Sequence, residues 1–302
     1  MPSVFGLAQC SVVACEVQHL SHGNGDLDKH MIKAVTIDLW GTLVLDSPAT
    51  DERYRRERLA GLESTLARFG FHVPVADLAR AYSESGRHLA RIWRGWRDVP
   101  VERHVTLLLQ AVHPSLPGRV GNEALAALVE AYSNPALLAP PTLDEGAAKA
   151  LQVLTDRGIA IGLLSNTLRT PGAVLRTILK RHGILEHFKT TVFSDECLIR
   201  KPDPAMFDIA FKRLGVERKE IVHVGDDPVL DIEGARAAGV RVIQLDASGS
   251  WTPRYAPDAV IERFQELPDV LADLDRSERH PAANLAIARL RPRFATRPVA
   301  RR

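Results

Sequence analysis

Asp38 stands in the segment Asp38-Leu39-Trp40-Gly41-Thr42-Leu43, directly after a short β-branched run, Ala34-Val35-Thr36-Ile37. A carboxylate released at the tip of a buried strand can attack an electrophilic carbon or phosphorus and form a covalent aspartyl intermediate. Three further segments follow in order: Leu164-Ser165-Asn166-Thr167, then Arg200-Lys201-Pro202-Asp203-Pro204, then Val224-Gly225-Asp226-Asp227 with Asp231-Ile232-Glu233-Gly234-Ala235. Ser165 and the Thr42 region offer hydrogen bonds to a transferring group, and Lys201 offers a cation to hold down negative charge on nucleophile and substrate. Plainer readings stand beside these. Asp38 could cap a turn, Ser165 could cap a turn or helix, Lys201 could be a surface residue, and Asp226 with Asp227 could N-cap a helix starting at Val229. Asp231 divides between a site residue and a first-turn helix acid.

Such residues need a scaffold, and the hydrophobic pattern supplies one. The run at 34–37 is continuous and β-branched, as a strand buried on both faces should be. From Ser47 to Pro141 the pattern turns helical. Leu59, Leu62, Leu66 and Phe69 mark a first helix closed by Gly70, and Leu89, Ile92, Trp93 and Trp96 a second. Val105, Leu108, Leu109 and Val112 mark a third, and Leu125, Leu128, Val129 and Tyr132 a fourth. Strands are then expected at 159–164, 191–193, 221–224 and 240–245, the last being the final one, with helices over 171–182, 204–214 and 229–238. Alternating strands and helices predict an α/β fold, a doubly wound, Rossmann-like parallel sheet with an inserted all-helical segment. In such sheets ligands bind beyond the carboxyl ends of the strands. Asp38, Ser165 and Asp226 each fall just past such an end.

The four segments, in this order and at these strand and helix edges, resemble the haloacid dehalogenase-like hydrolase superfamily over roughly residues 31–250. The long gap between the first and second motifs looks like that family's helical cap of the first type. The resemblance implies a core over 31–46 and 142–276 and a cap over 47–141; Met31, directly before the first strand, leaves 1–30 as an N-terminal extension, and arginine content marks 277–302 as a basic tail. It implies Asp38, Lys201 and Ser165 as catalytic residues, with Thr42, Asn166 and a cap arginine such as Arg91 on the substrate. It further implies Mg²⁺ held by Asp38, the backbone carbonyl of Trp40, and Asp226, with Asp231 either at the metal or behind it; hard oxygen ligands suit that ion.

One departure bears on mechanism. Phosphatases of this family usually read Asp-x-Asp, the second Asp acting as general acid and base. Trp40 has no proton to give at neutral pH, so the typical ~10²–10⁴-fold contribution of such catalysis cannot come from this side chain. A bulky aromatic there looks like the 2-haloacid dehalogenase branch, whose halide leaves without a proton. That branch, however, carries Tyr where this chain has Phe207, Ser where it has Asp226, and no metal. Charge counting favours a metal: Asp38 and Asp226 should converge, with Asp227 and Asp231 behind them and only Lys201 positive nearby, so repulsion would blunt the nucleophile without a cation. The expectation is Mg²⁺-dependent hydrolysis of a small phosphorylated metabolite. The alternatives are dehalogenase-like hydrolysis, or a catalytically weak protein that binds phospho-ligands. The metal reading requires the 38 and 226 carboxyl groups to approach within about 5 Å, twice an oxygen–Mg distance.

In the helical segment, Arg87, Arg91 and Arg94 read as a solvated face, or as anion-binding residues with His88 or His104; a histidine there could stand in for the missing base. Trp93 and Trp96 read as core of that segment before they read as a substrate-stacking platform. The 302 residues carry 45% hydrophobic and 25% charged residues and a formal charge of +2, giving no reason to expect a nucleic-acid partner. Cys10, Cys15 and Cys197 form neither a disulfide framework nor a metal-ligand spacing, so a reducing cytoplasm is the default. No apolar run spans a bilayer. Ser277 to Arg302 is rich in arginine and reads as a solvated tail or, less simply, a dock for an anionic surface.

Overall fold

The computed structural model describes residues 32–45, 47–246 and 256–279. The expected extension over 1–30, with Cys10 and Cys15, and the tail beyond Arg279 lie outside the described residues.

The chain opens with β1 (Ala34–Ile37), makes a tight loop, and enters β2 (Val44–Leu45). Six helices follow: α1 (Pro48–Arg68), α2 (Val75–Arg94), α3 (Val101–Val112), α4 (Leu116–Arg119), α5 (Asn122–Ser133) and α6 (Pro135–Leu138). The chain returns through β3 (Thr142–Leu143), which pairs antiparallel with β2, Val44 opposite Leu143. Departure and return are thus fixed side by side by a two-stranded ribbon that the sequence did not announce. Then come α7 (Ala147–Asp156), β4 (Ala160–Ser165), α8 (Gly172–Arg181), β5 (Phe188–Phe193), α9 (Ser194–Cys197) and α10 (Pro204–Leu214). The last elements are β6 (Ile221–Gly225), α11 (Gly234–Ala237), β7 (Arg241–Leu245), β8 (Ala259–Ile261) and α12 (Leu267–Arg279).

Six strands form one parallel sheet in the order β5-β4-β1-β6-β7-β8. From β1 the chain first builds outward through β4 and β5, then reverses to β6 on the other side. The reversal opens a crevice at the carboxyl end of β1, where open α/β sheets bind ligands. Val35 and Ile37 pack on one face with Leu151, Ile178 and Leu271, while Ala34 joins Phe207, Phe211 and Leu214 on the other. Every residue of β1 is buried, Thr36 included, which is why its sequence is a continuous, largely β-branched run with no exposed polar face. The helices between β2 and β3 hold a separate cluster that includes Leu62, Leu78, Leu108, Leu128 and Tyr132.

Four expectations are corrected. The strand at 241–245 is not the last: β8 adds an edge strand through Ile243 opposite Ala259, too short to show a period. The helix expected over 229–238 is a π-helical turn, Pro228–Glu233, followed by α11. The tail does not begin at Ser277, because Leu267 and Leu271, with Leu274 half-buried at the next turn, carry α12 to Arg279. Trp96 is not core: α2 ends at Arg94 and Trp96 lies beyond Gly95 with φ 56°, 40% exposed.

Candidate active site

Asp38 follows β1 and Asp226 follows β6, while Ser165 is the last residue of β4, so three neighbouring strands deliver them to one rim. The pairing continues one step past β1, with Asp38 N donating to Val224 O at 2.9 Å. The chain then turns back sharply. Leu43 N and Val44 N both donate to Leu39 O, and Gly41 N donates to Val44 O, each at 2.9 Å. Gly41 makes this possible: its φ is +82°, and a Cβ there would sit 2.4 Å from Asp226 Oδ2. Gly225 serves similarly, since a Cβ on it would meet Asp231 Cγ at 2.2 Å.

The carboxylates of Asp38, Asp226 and Asp231 each offer an oxygen within 4.8 Å of the others. Lys201, 1% exposed, donates from Nζ to Asp38 Oδ1 and, at 2.6 Å, to Asp231 Oδ1. Asp231 is saturated further: His223 Nε2 lies 3.1 Å from the same oxygen, and Asp227 N donates to Oδ2 at 3.1 Å. His223 Nδ1 in turn lies 2.9 Å from Thr36 Oγ1. Burial holds His223 below its ordinary range and therefore neutral, so the arrangement assigns the ring proton to Nε2, donating to Asp231, with Thr36 donating to Nδ1.

These contacts divide the acids by charge. Burial pushes Asp38 up to about 8 against the pull of Lys201, with Asp231 and Asp226 adding to the rise. Burial also lifts Asp226 to about 6, helped by the charge of Asp231. For Asp231 burial works in the same upward direction, but Lys201 and the hydrogen bond from His223 outweigh it and hold the group down to about 2. Burial works against the charge on Lys201 too, yet Asp231 and Asp38 keep it above the usual lysine range. One buried cation is therefore shared by Asp38 and Asp231, and it faces three clustered acids.

The second motif and the third are tied together. Asn166 Nδ2 donates to Lys201 O at 3.0 Å and Lys201 N donates to Asn166 Oδ1 at 2.8 Å, so the amide expected to meet substrate instead clamps the lysine's backbone. The Thr42 hydroxyl is likewise committed, donating to Asp226 Oδ1 at 3.3 Å. Asp227 caps the π-helical turn by accepting from Val229 N and Leu230 N. Ser165 is fully buried, and among the described residues its Oγ has no hydrogen-bond partner.

A cavity of about 660 Å³ opens beside the loop after Asp38, with Trp40 and Gly41 on its wall. Arg55, Arg58 and Arg169 line it with Tyr82 and Trp93. Arg91 does not: it is exposed on α2, with His88, Arg87 and Arg94. The buried face of α2 runs through Leu78, Tyr82, Ser85 and Leu89, and a residue two beyond Leu89 points about 200° away from it at 3.6 residues per turn. The arginines that reach the cavity were missed because they carry no motif. Arg58 is 4% exposed on α1, donating to Tyr132 O at 2.8 Å and to Thr170 Oγ1 at 3.1 Å. Arg169 lies on the loop after Ser165, its guanidinium carbon 3.9 Å from the centre of the Tyr82 ring and its Nη1 2.7 Å from Tyr132 Oη. His104 is buried between Trp93 and Tyr132, both ring nitrogens unpartnered among the described residues, and it does not line the cavity.

Comparison with known proteins points the same way. The chain is 29% identical over 259 residues to a glyceraldehyde 3-phosphate phosphatase of Methanopyrus kandleri, covering 81% of this chain and 99% of that protein. A phosphoglycolate phosphatase of Yersinia pseudotuberculosis is 29% identical over 78% of this chain and 91% of its own length. Among solved structures, a 2-haloacid dehalogenase from Pseudomonas syringae pv. tomato superposes with a TM-score of 0.60 at 28% identity, over 81% of this chain and all of that one. A family profile described as haloacid dehalogenase-like hydrolase matches residues 32–239, which include Asp38, Lys201, Asp226 and Asp231. The chain belongs to the haloacid dehalogenase-like hydrolases.

Proposed function

We propose that the protein hydrolyses a small phosphorylated metabolite through an aspartyl-phosphate at Asp38, with Mg²⁺, and that residues 47–141 act as the cap over a core formed by 31–46 and 142–276. The observation that carries this reading is the convergence of Asp38, Asp226 and Asp231 to within 4.8 Å around a single buried lysine. The donor set fits a hard cation. Asp231 is already engaged by Lys201, His223 and the backbone of Asp227, whereas Asp38 and Asp226 are raised by burial and by neighbouring acids, which a cation would offset. Asp38, Asp226 and the Trp40 carbonyl would hold the metal, with Asp231 behind them as the partner of Lys201. Bound there, Mg²⁺ would neutralise charge on nucleophile and phosphoryl group.

The chain's own residues then divide the work. A carboxylate oxygen of Asp38 forms a bond to phosphorus as the bond to the leaving oxygen breaks, and water later cleaves the acyl phosphate to return Asp38 and release phosphate. Lys201 holds Asp38 in place and offsets charge on it. The Ser165 hydroxyl, lacking a partner, is available to donate to a phosphoryl oxygen. Arg58 and Arg169 give the cavity the positive sign that an anionic substrate requires. Trp40 supplies no proton, so leaving groups that depart readily as anions are favoured.

A panel of phosphate esters assayed with Mg²⁺ tests the reading. Turnover is expected that Asp38→Asn and chelation each abolish, and Trp40→Asp is expected to raise kcat for substrates with basic leaving groups. Absence of turnover on every ester, with Mg²⁺ still bound, would overturn it. One observation favours a second reading, dehalogenase-like hydrolysis: the aromatic Trp40 beside the nucleophile, together with the dehalogenase likeness. Halide release from a short haloacid that persists in chelator would select it.

A further inference from the structure

The loop between α2 and α3 leaves the helical insertion and lies along residues 198–200 of the core. Asp98 N donates to Leu198 O and Arg200 N to Trp96 O, both at 3.1 Å, and Arg97 bridges Ile199. At its centre the Asp98 side chain is wholly buried. Oδ1 accepts from Trp93 Nε1 at 2.8 Å and Val99 N at 2.9 Å. Oδ2 accepts from Arg200 Nη1 at 2.6 Å, Ser194 Oγ at 2.5 Å and Thr167 Oγ1 at 3.5 Å. The same Arg200 Nη1 donates to Thr167 O at 2.5 Å, and the guanidinium packs over the Trp93 ring at 4.8 Å.

Thr167 and Arg200 belong to the loops that carry Ser165 and Lys201. Asn166 fastens these loops from one side through the Lys201 backbone; Asp98 and Arg200 fasten them from the other. We propose that Asp98 is a positioning residue for Lys201: docking of the helical insertion through this carboxylate completes the placement of the lysine against Asp38, so the site is assembled only when the insertion is seated. The chemistry requires such a partner. Arg200 is 5% exposed, and a guanidinium stripped of water and of its carboxylate must move to recover solvation, pulling on the residue next to it. The proposal rests on the reading that Lys201 serves Asp38. A second contact in the same loop provides the control: Arg97 pairs with Asp203 at 2.8 Å but is 60% exposed, and such surface pairs contribute little.

The test compares Asp98→Asn with Arg97→Ala by amide hydrogen exchange and by steady-state kinetics on an aryl phosphate with Mg²⁺. Asp98→Asn is expected to speed exchange at the Thr167 and Lys201 amides and to lower kcat by ~100-fold, with KM within about threefold. Arg97→Ala should change neither. Should Asp98→Asn fail to fold, Asp98→Glu keeps the charge while shifting its oxygens by one methylene. It is expected to lose about tenfold in kcat, with faster exchange at Lys201. Exchange at Thr167 and Lys201 that stays at the wild-type rate, or an Asp98 variant no slower than Arg97→Ala, overturns the proposal. A wild type without turnover on any ester would defeat the functional reading alone, because the exchange comparison still decides whether Asp98 holds the two loops.

Discussion

Replacing Lys201 with methionine removes the one cation shared by two buried carboxylates while keeping most of the side chain's volume. Lys201 is 1% exposed and contacts both Asp38 and Asp231. Without it these two and Asp226 face one another within 4.8 Å. Two unit charges at that separation repel by ~3 kcal/mol at an effective dielectric of about 20, and breaking a buried ion pair by deleting one partner costs about 3–5 kcal/mol. The metal-free variant should therefore lose about 3–5 kcal/mol of stability at pH 8, a fall in Tm on the order of 10 °C. The pH dependence has a definite sign. Asp231, held down to about 2 in the wild type, contributes stability that is present above the ordinary carboxylate range and lost as pH falls through 2. Asp38, pushed up to about 8, costs nothing below that ordinary range and progressively more as pH rises through 8. Deleting the lysine removes the first contribution and enlarges the second, so the gap between wild type and variant widens from pH 4 to pH 8. Denaturant titrations in chelator at pH 5 and pH 8 measure it, and the gap should narrow in Mg²⁺, which replaces the missing charge. A gap below about 1 kcal/mol at pH 8, or one independent of pH, would refute the view that Lys201 neutralises this cluster.

Three further outcomes are expected. Gly41→Ala places a Cβ 2.4 Å from Asp226 Oδ2 at a φ of +82°; it should cost about 1–2 kcal/mol in stability and weaken Mg²⁺ binding at least ~10-fold by calorimetry. His104→Phe replaces a ring whose nitrogens are both buried and unpartnered and should raise stability by about 1–2 kcal/mol at neutral pH. Burial, with repulsion from Arg169, Arg200 and Arg58, lowers His104 to about 4 against the pull of Asp98; the wild type therefore loses stability as pH falls from 6.5 towards 4, and the phenylalanine variant should lack that loss. Arg169→Ala removes a guanidinium from the cavity wall and its contact with Tyr132 Oη; initial-rate kinetics should show KM for anionic substrates raised about tenfold with kcat within threefold.

The sequence by itself determined five of the sheet's six strands, the order of the chemistry and the placement of Asp38, Ser165 and Asp226 at strand ends. Runs such as Ala34–Ile37 and Ile221–Val224 are mostly apolar, each with one buried polar residue (Thr36, His223), because both faces of a central parallel strand are covered, and that pattern is local. It could not show how the acids share charge. Asp231 sits eight residues from His223 and thirty from Lys201, and only folding made it share that lysine with Asp38 beside Asp226. Nor could it show that Asn166 and Thr42 would be spent on holding Lys201 and Asp226. Helical spacing marked Arg91 as conspicuous, yet the buried face of α2 turned it to solvent and Arg58 and Arg169 took the cavity. Asp98 lay in a short loop with no period and no motif, and its burial depends on Arg200, which lies over a hundred residues away. Periodicity is set by neighbours along the chain, whereas hydrogen bonding and charge pairing are set by neighbours in space, and those are chosen only when the helical insertion meets the core.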